Sequence, residues 1–211
     1  MNRQWLLQQV VCLIVVALLL AGCSGIQVEP TATPTSTPRF DDKGLNDKRV
    51  LFVIYSRFEE SEYGIPRAIL EDKGAVITVA SSSSDVLAGH QGMEVKPDVV
   101  LNDVHAADYD AIVFIGGYGY NVDDPEAQRI AQEAVTEGKL LAAICIAPIT
   151  LAKAGVVDGK RVTASAWFSE LKEAGAIISA TYIERDGLII TADGPIAARE
   201  FGEAIAAALD E

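Results

Sequence analysis

A short apolar run that ends in a cysteine constrains this chain more than any other feature. Residues Leu140 to Ile144 are all apolar, which is typical of a fully buried strand in a parallel sheet. Cys145 follows directly, and a helical pattern then runs to Gly155, a residue that commonly ends a helix. The stretch therefore predicts a strand-to-helix corner, or nucleophile elbow, with Cys145 at its tip.

Two interpretations of Cys145 follow from this position. At a sharp corner the thiol would stand above the sheet, and the N–H groups and dipole of the following helix would favour a thiolate. Alternatively, Cys145 is a small buried hydrophobic residue, as most free cysteines are. The stretch alone leaves both interpretations open.

Strand and helix patterns alternate from residue 49 to the end of the chain, while residues 86–101 are ambiguous between a small hairpin and an excursion. Alternation of this kind predicts an α/β fold, a parallel sheet sandwiched by helices, with ligands at the carboxyl ends of the strands. Gly117 and Cys145 both fall at such ends. The predicted strands are Val50–Tyr55, Val76–Ala80, Asp110–Ile115, Leu140–Ile144, Arg161–Ala164, Thr181–Glu184 and Leu188–Thr191, and the main predicted helices are Glu62–Lys73, a helix capped by Asp124 that ends at Gly138, and Pro195–Leu209.

Residues 1–22 have the pattern of an export signal. Arg3 supplies the positive charge, and the apolar run from Val10 to Ala21 has 12 residues, whereas a membrane-spanning helix needs about 20. The sequence Leu20-Ala21-Gly22-Cys23 resembles the lipobox of bacterial lipoproteins, which implies cleavage before Cys23 and acylation of that residue. An ordinary secretory signal and an uncleaved anchor are the alternatives.

Residues 23–48 are predicted to be a linker between Cys23 and a domain covering residues 49–211. Prolines at positions 30, 34 and 38 alternate with Thr and Ser, a composition that favours extended chain and cannot bury a core. The resulting expectation is a domain held at the extracytoplasmic face of the cell membrane by a lipid anchor, since several acyl chains on one residue anchor a protein stably.

Charge and cysteine content exclude several classes of protein. The chain has 17 Lys and Arg against 30 Asp and Glu, a net charge of −13, so nucleic acid is not an expected partner. If Cys12 leaves with the leader and Cys23 is acylated, Cys145 is the one thiol left and no internal disulfide can form. His90 and His105 are the only histidines, and no second cysteine lies near them, so no metal or cofactor is expected.

Four motifs, in this order, resemble the ThiJ/PfpI superfamily, whose flavodoxin-like core is related to class I glutamine amidotransferases. The resemblance implies that Cys145 is the elbow nucleophile, that Glu62 hydrogen-bonds its sulfur, and that the N–H groups of Gly117 and Ile146 form an oxyanion hole. A carboxyl beside a thiolate should be held protonated; without the resemblance, Glu62 would be interpreted as a solvated glutamate on a charged face. The motifs are Phe58–Pro66, Asp110–Gly117, Ala142–Pro148, and Asp186–Thr191 with Gly194–Pro195.

The chain departs from the family at two positions. Ile146 stands where protease-like members have a histidine after the cysteine, and Ser165 stands where deglycase-like members have one downstream. Neither pattern therefore provides a Cys–His pair. Tyr118 and Tyr120 follow the glycine pair, and Trp167 and Phe168 follow Ser165. These aromatic residues, with Ser165, are predicted to line a pocket beside the thiol, although most such aromatic residues belong to a core.

These features favour glyoxalase- or deglycase-type action on reactive aldehydes or their protein adducts, since attack of a thiolate on an aldehyde needs only a carboxyl to move the proton. The alternative is a redox sensor or chaperone in which Cys145 is oxidised. A cysteine peptidase or amidase is the least supported, because amide cleavage requires a proton for the leaving amine. Homodimers are common in the family, and a homodimer is the assembly that the resemblance implies.

Overall fold

A computed structural model of the protein describes residues 44–166 and 168–211. Five helices lie in this part of the chain: α1 (Glu60–Asp72), α2 (Pro125–Thr136), α3 (Pro148–Lys153), α4 (Phe168–Glu173) and α5 (Ala198–Asp210). The strands are β1 (Arg49–Val53), β2 (Val76–Ser81), β3 (Leu87–Ala88), β4 (Glu94–Val95), β5 (Val99–Val100), β6 (Ala111–Phe114), β7 (Leu140–Ile144), β8 (Arg161–Val162), β9 (Ile177–Ile178), β10 (Ile183–Asp186) and β11 (Ile189–Ala192).

Seven of these strands form one sheet in the order β10-β11-β7-β6-β1-β2-β5. Every neighbouring pair is parallel except β10 and β11, which form an antiparallel hairpin at one edge. Helices cover the sheet, and the predicted flavodoxin-like α/β class is confirmed. Two small sheets, β3-β4 and β8-β9, lie outside the main sheet.

The central strands are buried on both faces, as their continuous apolar sequences require. In β1, Val50 and Phe52 pack with the helices α1 and α5, whereas Leu51 and Val53 pack with α2 and α3 on the opposite side. The same alternation holds along β6 and β7. A hydrophobic layer therefore covers each face of the sheet. The carboxyl ends of the parallel strands β1, β6, β7 and β11 lie side by side at the same end of the sheet.

Local signals predicted several elements correctly. Asp124 caps α2 by accepting a hydrogen bond from the Glu126 N–H at 2.9 Å, and Pro125 occupies the first turn, as the sequence predicts. The hairpin differs slightly from the prediction: β10 runs from Ile183 through Asp186, so the turn falls on Gly187 and Leu188. The ambiguous region 86–101 contains the β3-β4 hairpin, followed by β5, which joins the main sheet.

The folded part begins earlier than position 49. Leu45 is 1% exposed and packs in the layer with α1 and α5, and its N–H donates to the Lys73 carbonyl oxygen at 2.6 Å. A single apolar residue at the end of a polar linker has no periodicity from which this contact can be foreseen. The proposed signal 1–22, Cys23 and most of the linker lie outside the described residues, and within the described ranges no helix is long and apolar enough to span a bilayer.

Candidate active site

Cys145 occupies the corner between β7 and α3 with an unusual backbone conformation. Its φ angle is 67°, in the left-handed region that non-glycine residues seldom adopt and that is often associated with functional sites. The surrounding backbone fixes this conformation: the Cys145 N–H donates to Ala192 O at 2.9 Å, and the Cys145 carbonyl oxygen accepts from the Ser165 N–H at 2.9 Å. The thiol is half-buried.

Glu62 brings a carboxyl group to this corner from the first turns of α1. Its side chain is fully buried, and neither carboxyl oxygen forms a well-aligned hydrogen bond with a described residue. Gly116 lies between the two groups: a Cβ at this position would be 2.6 Å from the Cβ of Cys145 and 2.7 Å from Glu62 Oε2. Only a glycine at position 116 allows the carboxyl and the cysteine to approach this closely.

Burial determines the acidity of both groups. Burial raises the pKa of Glu62 to about 8, opposed by the Cys145 thiol and the Gly116 N–H and reinforced by Glu59 and Asp193. Burial, followed by the negative charge of Glu62, raises the pKa of Cys145 to about 11, opposed by Ser165 and the Ile146 N–H. Of the two interpretations that the sequence left open, burial opposes the thiolate stabilised by a helix dipole, since α3 has only six residues and begins at Pro148.

The two groups are best described as one acid pair. The Glu62 charge opposes thiolate formation only when that carboxyl is ionised, because a neutral carboxyl can instead donate a hydrogen bond to sulfur. The first proton therefore leaves the pair near pH 8 and the second near pH 11. After the first loss, the pair exists either as carboxylate and thiol or as carboxylic acid and thiolate, and the second form is the nucleophile.

A cleft of about 370 Å³ opens over the pair. The predicted residues Cys145, Glu62, Gly117, Ile146, Tyr118 and Ser165 all line it, whereas Trp167 lies outside the described residues. Tyr120, which is also predicted to line the pocket, lines the cleft, and so do Glu59 and Pro195, which sequence reasoning did not assign. Glu59 directly precedes α1 and Pro195 directly follows Gly194, so their place in the motifs was a signal that could have identified them.

Ser165 takes the place of a histidine partner. Its hydroxyl lies 3.4 Å from Cys145 Sγ, which makes it a hydrogen-bonding neighbour but not a base at neutral pH. His90 is an exposed turn residue, yet its ring lies against Tyr118, with the centroids 4.3 Å apart and the ring planes tilted by 37°. No local pattern signals this contact, because the two residues meet only through the tertiary fold.

Asp193 adds a second acidic group behind Glu62. Burial raises its pKa, and its Oδ1 atom is buried without a hydrogen-bond partner among the described residues. Its negative charge contributes to keeping Glu62 protonated. Within residues 44–166 and 168–211, no group of three or more His, Cys, Asp or Glu side chains is arranged to hold a metal ion.

Comparison with known proteins agrees with this geometry. Residues 48–208 match the sequence model of the DJ-1/PfpI family. An uncharacterised protein of Methanocaldococcus jannaschii is 32% identical over 80% of this chain and 86% of its own length, and the deglycase PfpI of Pyrococcus furiosus is 34% identical over 54% of this chain and 70% of its own length.

A solved structure has the same fold. The structure of a ThiJ/PfpI domain protein from Brachyspira murdochii superposes with a TM-score of 0.75 at 28% identity, covering 77% of this chain and 96% of that one. Together with the match to the family over most of the chain, the shared fold and the cysteine at the strand-to-helix corner, this shows that the chain belongs to the DJ-1/PfpI family.

Proposed function

We propose that this protein is a cysteine-dependent enzyme of the glyoxalase or deglycase type that acts on small reactive aldehydes or their protein adducts. The observation that carries the proposal is the pairing of Cys145, held at φ 67°, with a fully buried Glu62 whose carboxyl has no well-aligned hydrogen bond to a described residue. Relatives named deglycases, such as PfpI of Pyrococcus furiosus, support the same class of chemistry.

The first step is addition of the Cys145 thiolate to the aldehyde carbon. A C–S bond forms, the carbonyl π electrons move to oxygen, and the protonated Glu62 supplies the proton that gives a hemithioacetal. The Gly117 and Ile146 N–H groups, whose residues line the cleft, are the proposed donors to the developing oxyanion. The cleft is large enough for a substrate of a few heavy atoms above the thiol.

With an α-oxoaldehyde, the same carboxyl can complete the reaction. The Glu62 carboxylate removes the proton from the carbon bonded to sulfur, the electrons of that C–H bond form a C=C bond, and the π electrons of the neighbouring carbonyl move to its oxygen. The hydroxyl proton on the sulfur-bearing carbon passes to that oxygen. The electrons left on the first oxygen then form the thioester C=O, and the C=C electrons take the proton back from Glu62 at the neighbouring carbon. Water then cleaves the thioester to a 2-hydroxy acid and regenerates the thiol. The net change is addition of one water molecule, so no external oxidant or cofactor is required.

A redox function is the second candidate, favoured by Ser165. The Ser165 hydroxyl lies 3.4 Å from the sulfur in place of a basic histidine, and a neutral Glu62 is a second donor. Two equivalents of hydrogen peroxide would each transfer one oxygen atom to Cys145 and leave as water, giving a sulfinic acid that these two groups can hydrogen-bond. In this case the protein would be a sensor or chaperone without aldehyde turnover.

Methylglyoxal turnover by the full chain distinguishes the two functions. We expect lactate formation by the wild type and its loss in Cys145→Ala, whereas Cys23→Ser, a change outside the domain predicted for residues 49–211, should leave the rate unchanged. Mass spectrometry of the Cys145 peptide after treatment with hydrogen peroxide provides the second readout. Ready sulfinate formation without turnover would reject the enzyme in favour of the sensor.

We also propose that Cys23 is the site of lipid attachment, and that the protein acts at the extracytoplasmic face of the cell membrane, with a homodimer as the assembly to be tested. Support comes from the apolar run that ends at Ala21 and from the Gly22-Cys23 pair. Replacing Cys23 by serine should move the protein from the membrane fraction to the soluble fraction. Unchanged fractionation of Cys23→Ser would contradict this assignment.

A further inference from the structure

Three side chains form a platform at the mouth of the cleft. Tyr118 lines the cleft and is 68% exposed, the His90 ring lies 4.3 Å from it, and the Arg57 guanidinium carbon lies 5.7 Å from its ring centroid. We propose that Arg57, His90 and Tyr118 form an anion-binding subsite, so that the preferred substrates are small aldehydes carrying a carboxylate or phosphate group. This inference rests on the proposed function, because it concerns the substrate of the same cleft.

The first support is the free hydrogen-bonding capacity of Arg57. Its guanidinium forms no ion pair with any described carboxylate, although the chain contains 30 Asp and Glu residues. By contrast, the arginines at positions 67, 129, 161 and 185 each pair with a glutamate. An arginine stacked on an aromatic ring keeps its N–H fork available for a carboxylate or phosphate.

The second support is the rigidity of this exposed platform. The Arg57 N–H donates to Ala88 O at 2.6 Å, the Tyr118 N–H donates to Arg57 O at 3.0 Å, and the His90 N–H donates to Phe58 O at 2.9 Å. The three platform residues are therefore connected through the backbone before any ligand arrives. A preorganised site does not lose binding energy to ordering of its own loops.

Glu60 fixes the loop that carries His90. One of its carboxyl oxygens accepts hydrogen bonds from the N–H groups of Gln91 and Met93. Gly89 packs directly against the same carboxylate, since a Cβ there would lie 2.5 Å from Glu60 Oε1. Glu60 therefore holds the loop through its backbone, and these hydrogen bonds occupy one of its two carboxyl oxygens.

Glu59 adds a negative charge to the lining of the cleft. It lines the cleft, and its carboxylate accepts a hydrogen bond from the Ser61 hydroxyl at 3.0 Å. An anionic group is repelled by the Glu59 carboxylate and attracted to the Arg57 guanidinium. The expected orientation places the aldehyde carbon at Cys145 and the anionic group against the platform.

Alkylation of Cys145 by two reagents of similar size tests the subsite without requiring turnover. Iodoacetate carries a carboxylate and iodoacetamide is its neutral counterpart, and the rate for each is followed by mass spectrometry of the Cys145 peptide in the full chain. We expect Arg57→Gln to lower the iodoacetate-to-iodoacetamide rate ratio by about three- to tenfold at low salt, with Arg57→Lys closer to the wild type. The iodoacetamide rate itself should hardly change.

Arg49→Gln is the matched control. Arg49 also stacks on a tyrosine, with its guanidinium carbon 5.5 Å from the Tyr109 ring centroid, but it begins β1 and so lies at the opposite edge of the sheet. An equal fall of the iodoacetate-to-iodoacetamide rate ratio in both variants, or an unchanged ratio in Arg57→Gln, would overturn the proposed subsite. Neither result would argue against a reactive Cys145 thiol. Labelling of Cys145 by neither reagent in the folded protein would overturn the proposed function as well.

Discussion

At the scale of single residues, the chemistry of this protein depends on two weak acids in one small volume. Glu62 is buried without well-aligned hydrogen bonds to the described residues, and Cys145 lies next to it at a strained corner. A buried carboxyl normally costs stability, because it must either stay protonated or hold an unsolvated charge. Its retention beside a thiol is explained if the proton that it holds is used in the reaction.

Replacing Glu62 by glutamine tests this use of the proton. In the wild type, kcat/KM for methylglyoxal should rise as pH increases through about 8, where the first proton leaves the pair. Glu62→Gln keeps the shape of the side chain but cannot exchange a proton, so turnover should fall by about 100-fold or more. Steady-state kinetics between about pH 6 and 10 provide the measurement.

The same variant should change the acidity of the thiol. Removing the Glu62 charge lowers the pKa of Cys145 from its raised value, since that charge is the second cause of the increase after burial. The rate of iodoacetamide labelling of Glu62→Gln, plotted against pH, should therefore show a single inflection, below about pH 11, and no inflection from a carboxyl group. If turnover in Glu62→Gln equals that of the wild type, Glu62 is not the acid of the reaction.

Gly116 offers a second test at this scale. An alanine Cβ would lie 2.6 Å from the Cys145 Cβ and 2.9 Å from the Ile144 carbonyl oxygen, so the strand and the corner must separate. We expect Gly116→Ala to reduce turnover by about two orders of magnitude and to destabilise the fold by about 1–3 kcal/mol. Circular dichroism and kinetics measured on the same sample separate the two effects, and full activity would show that the spacing is not critical.

At the scale of elements, the position of Glu62 depends on how α1 packs against α5. Gly202 in α5 faces Pro66 in α1: a Cβ at position 202 would be 2.8 Å from Pro66 Cα and 3.0 Å from Ile69 Cδ1. Both distances are shorter than a normal van der Waals contact, and the Pro66 atom belongs to the backbone, so it cannot rotate away. The close approach of the two helices is therefore fixed by a residue without a side chain.

Gly202→Ala should lower the free energy of unfolding even though alanine favours helices. The steric cost of about 1–3 kcal/mol exceeds the gain in helix propensity of at most about 1 kcal/mol. Gly64→Ala is the matched control, because it lies inside α1 where an added Cβ would meet no described atom within 4 Å, and it should stabilise by about 0.5–1 kcal/mol. Urea unfolding of both variants measures the difference, and a stabilised Gly202→Ala would contradict the packing.

Elements with local signals could be predicted from the sequence, and contacts between distant residues could not. Asp124 and Pro125 determine the start of α2, because the Asp124 carboxylate accepts a hydrogen bond from an N–H group only two residues further along the chain. The apolar run of β7 is continuous and predicts a buried strand. The strand-to-helix corner supplied Cys145, and the resemblance to the family supplied Glu62. Several contacts join residues far apart in the chain, so no pattern of periodicity reports them: the contact of His90 with Tyr118, the charge of Asp193 near Glu62 and the burial of Leu45.

At the scale of the whole molecule, one buried acid should shape the dependence of stability on pH. The folded protein retains the Glu62 proton up to about pH 8, whereas the unfolded chain releases it near the ordinary pKa of 4.5. Between these values the folded state binds the extra proton, so stability falls as pH rises. Asp193, whose pKa burial also raises, acts in the same direction.

The carboxylates whose pKa is lowered have the opposite effect and act at lower pH. Glu133, for example, keeps its charge through hydrogen bonds from Arg129 and the Ala106 N–H, and its contribution is lost only as acid protonates it. The window from about pH 5 to 8 therefore reports mainly on Glu62. Few other groups in the described residues both change charge in this window and have a pKa that differs between the folded and unfolded states.

We expect the free energy of unfolding of the full chain to decrease from about pH 5 to pH 8 by on the order of 3–4 kcal/mol. Glu62→Gln should remove most of this slope, because an amide has no proton to lose. Glu59→Gln, at a half-buried cleft residue outside the pair, should retain most of it, since the Glu59 charge only adds to the effect of burial on the pKa of Glu62. Urea titrations at half-unit pH intervals give the two slopes. A wild-type slope that survives in Glu62→Gln would show that the buried carboxyl is already ionised at the acid end of this window, and the acid role assigned to it in the reaction would then be lost as well.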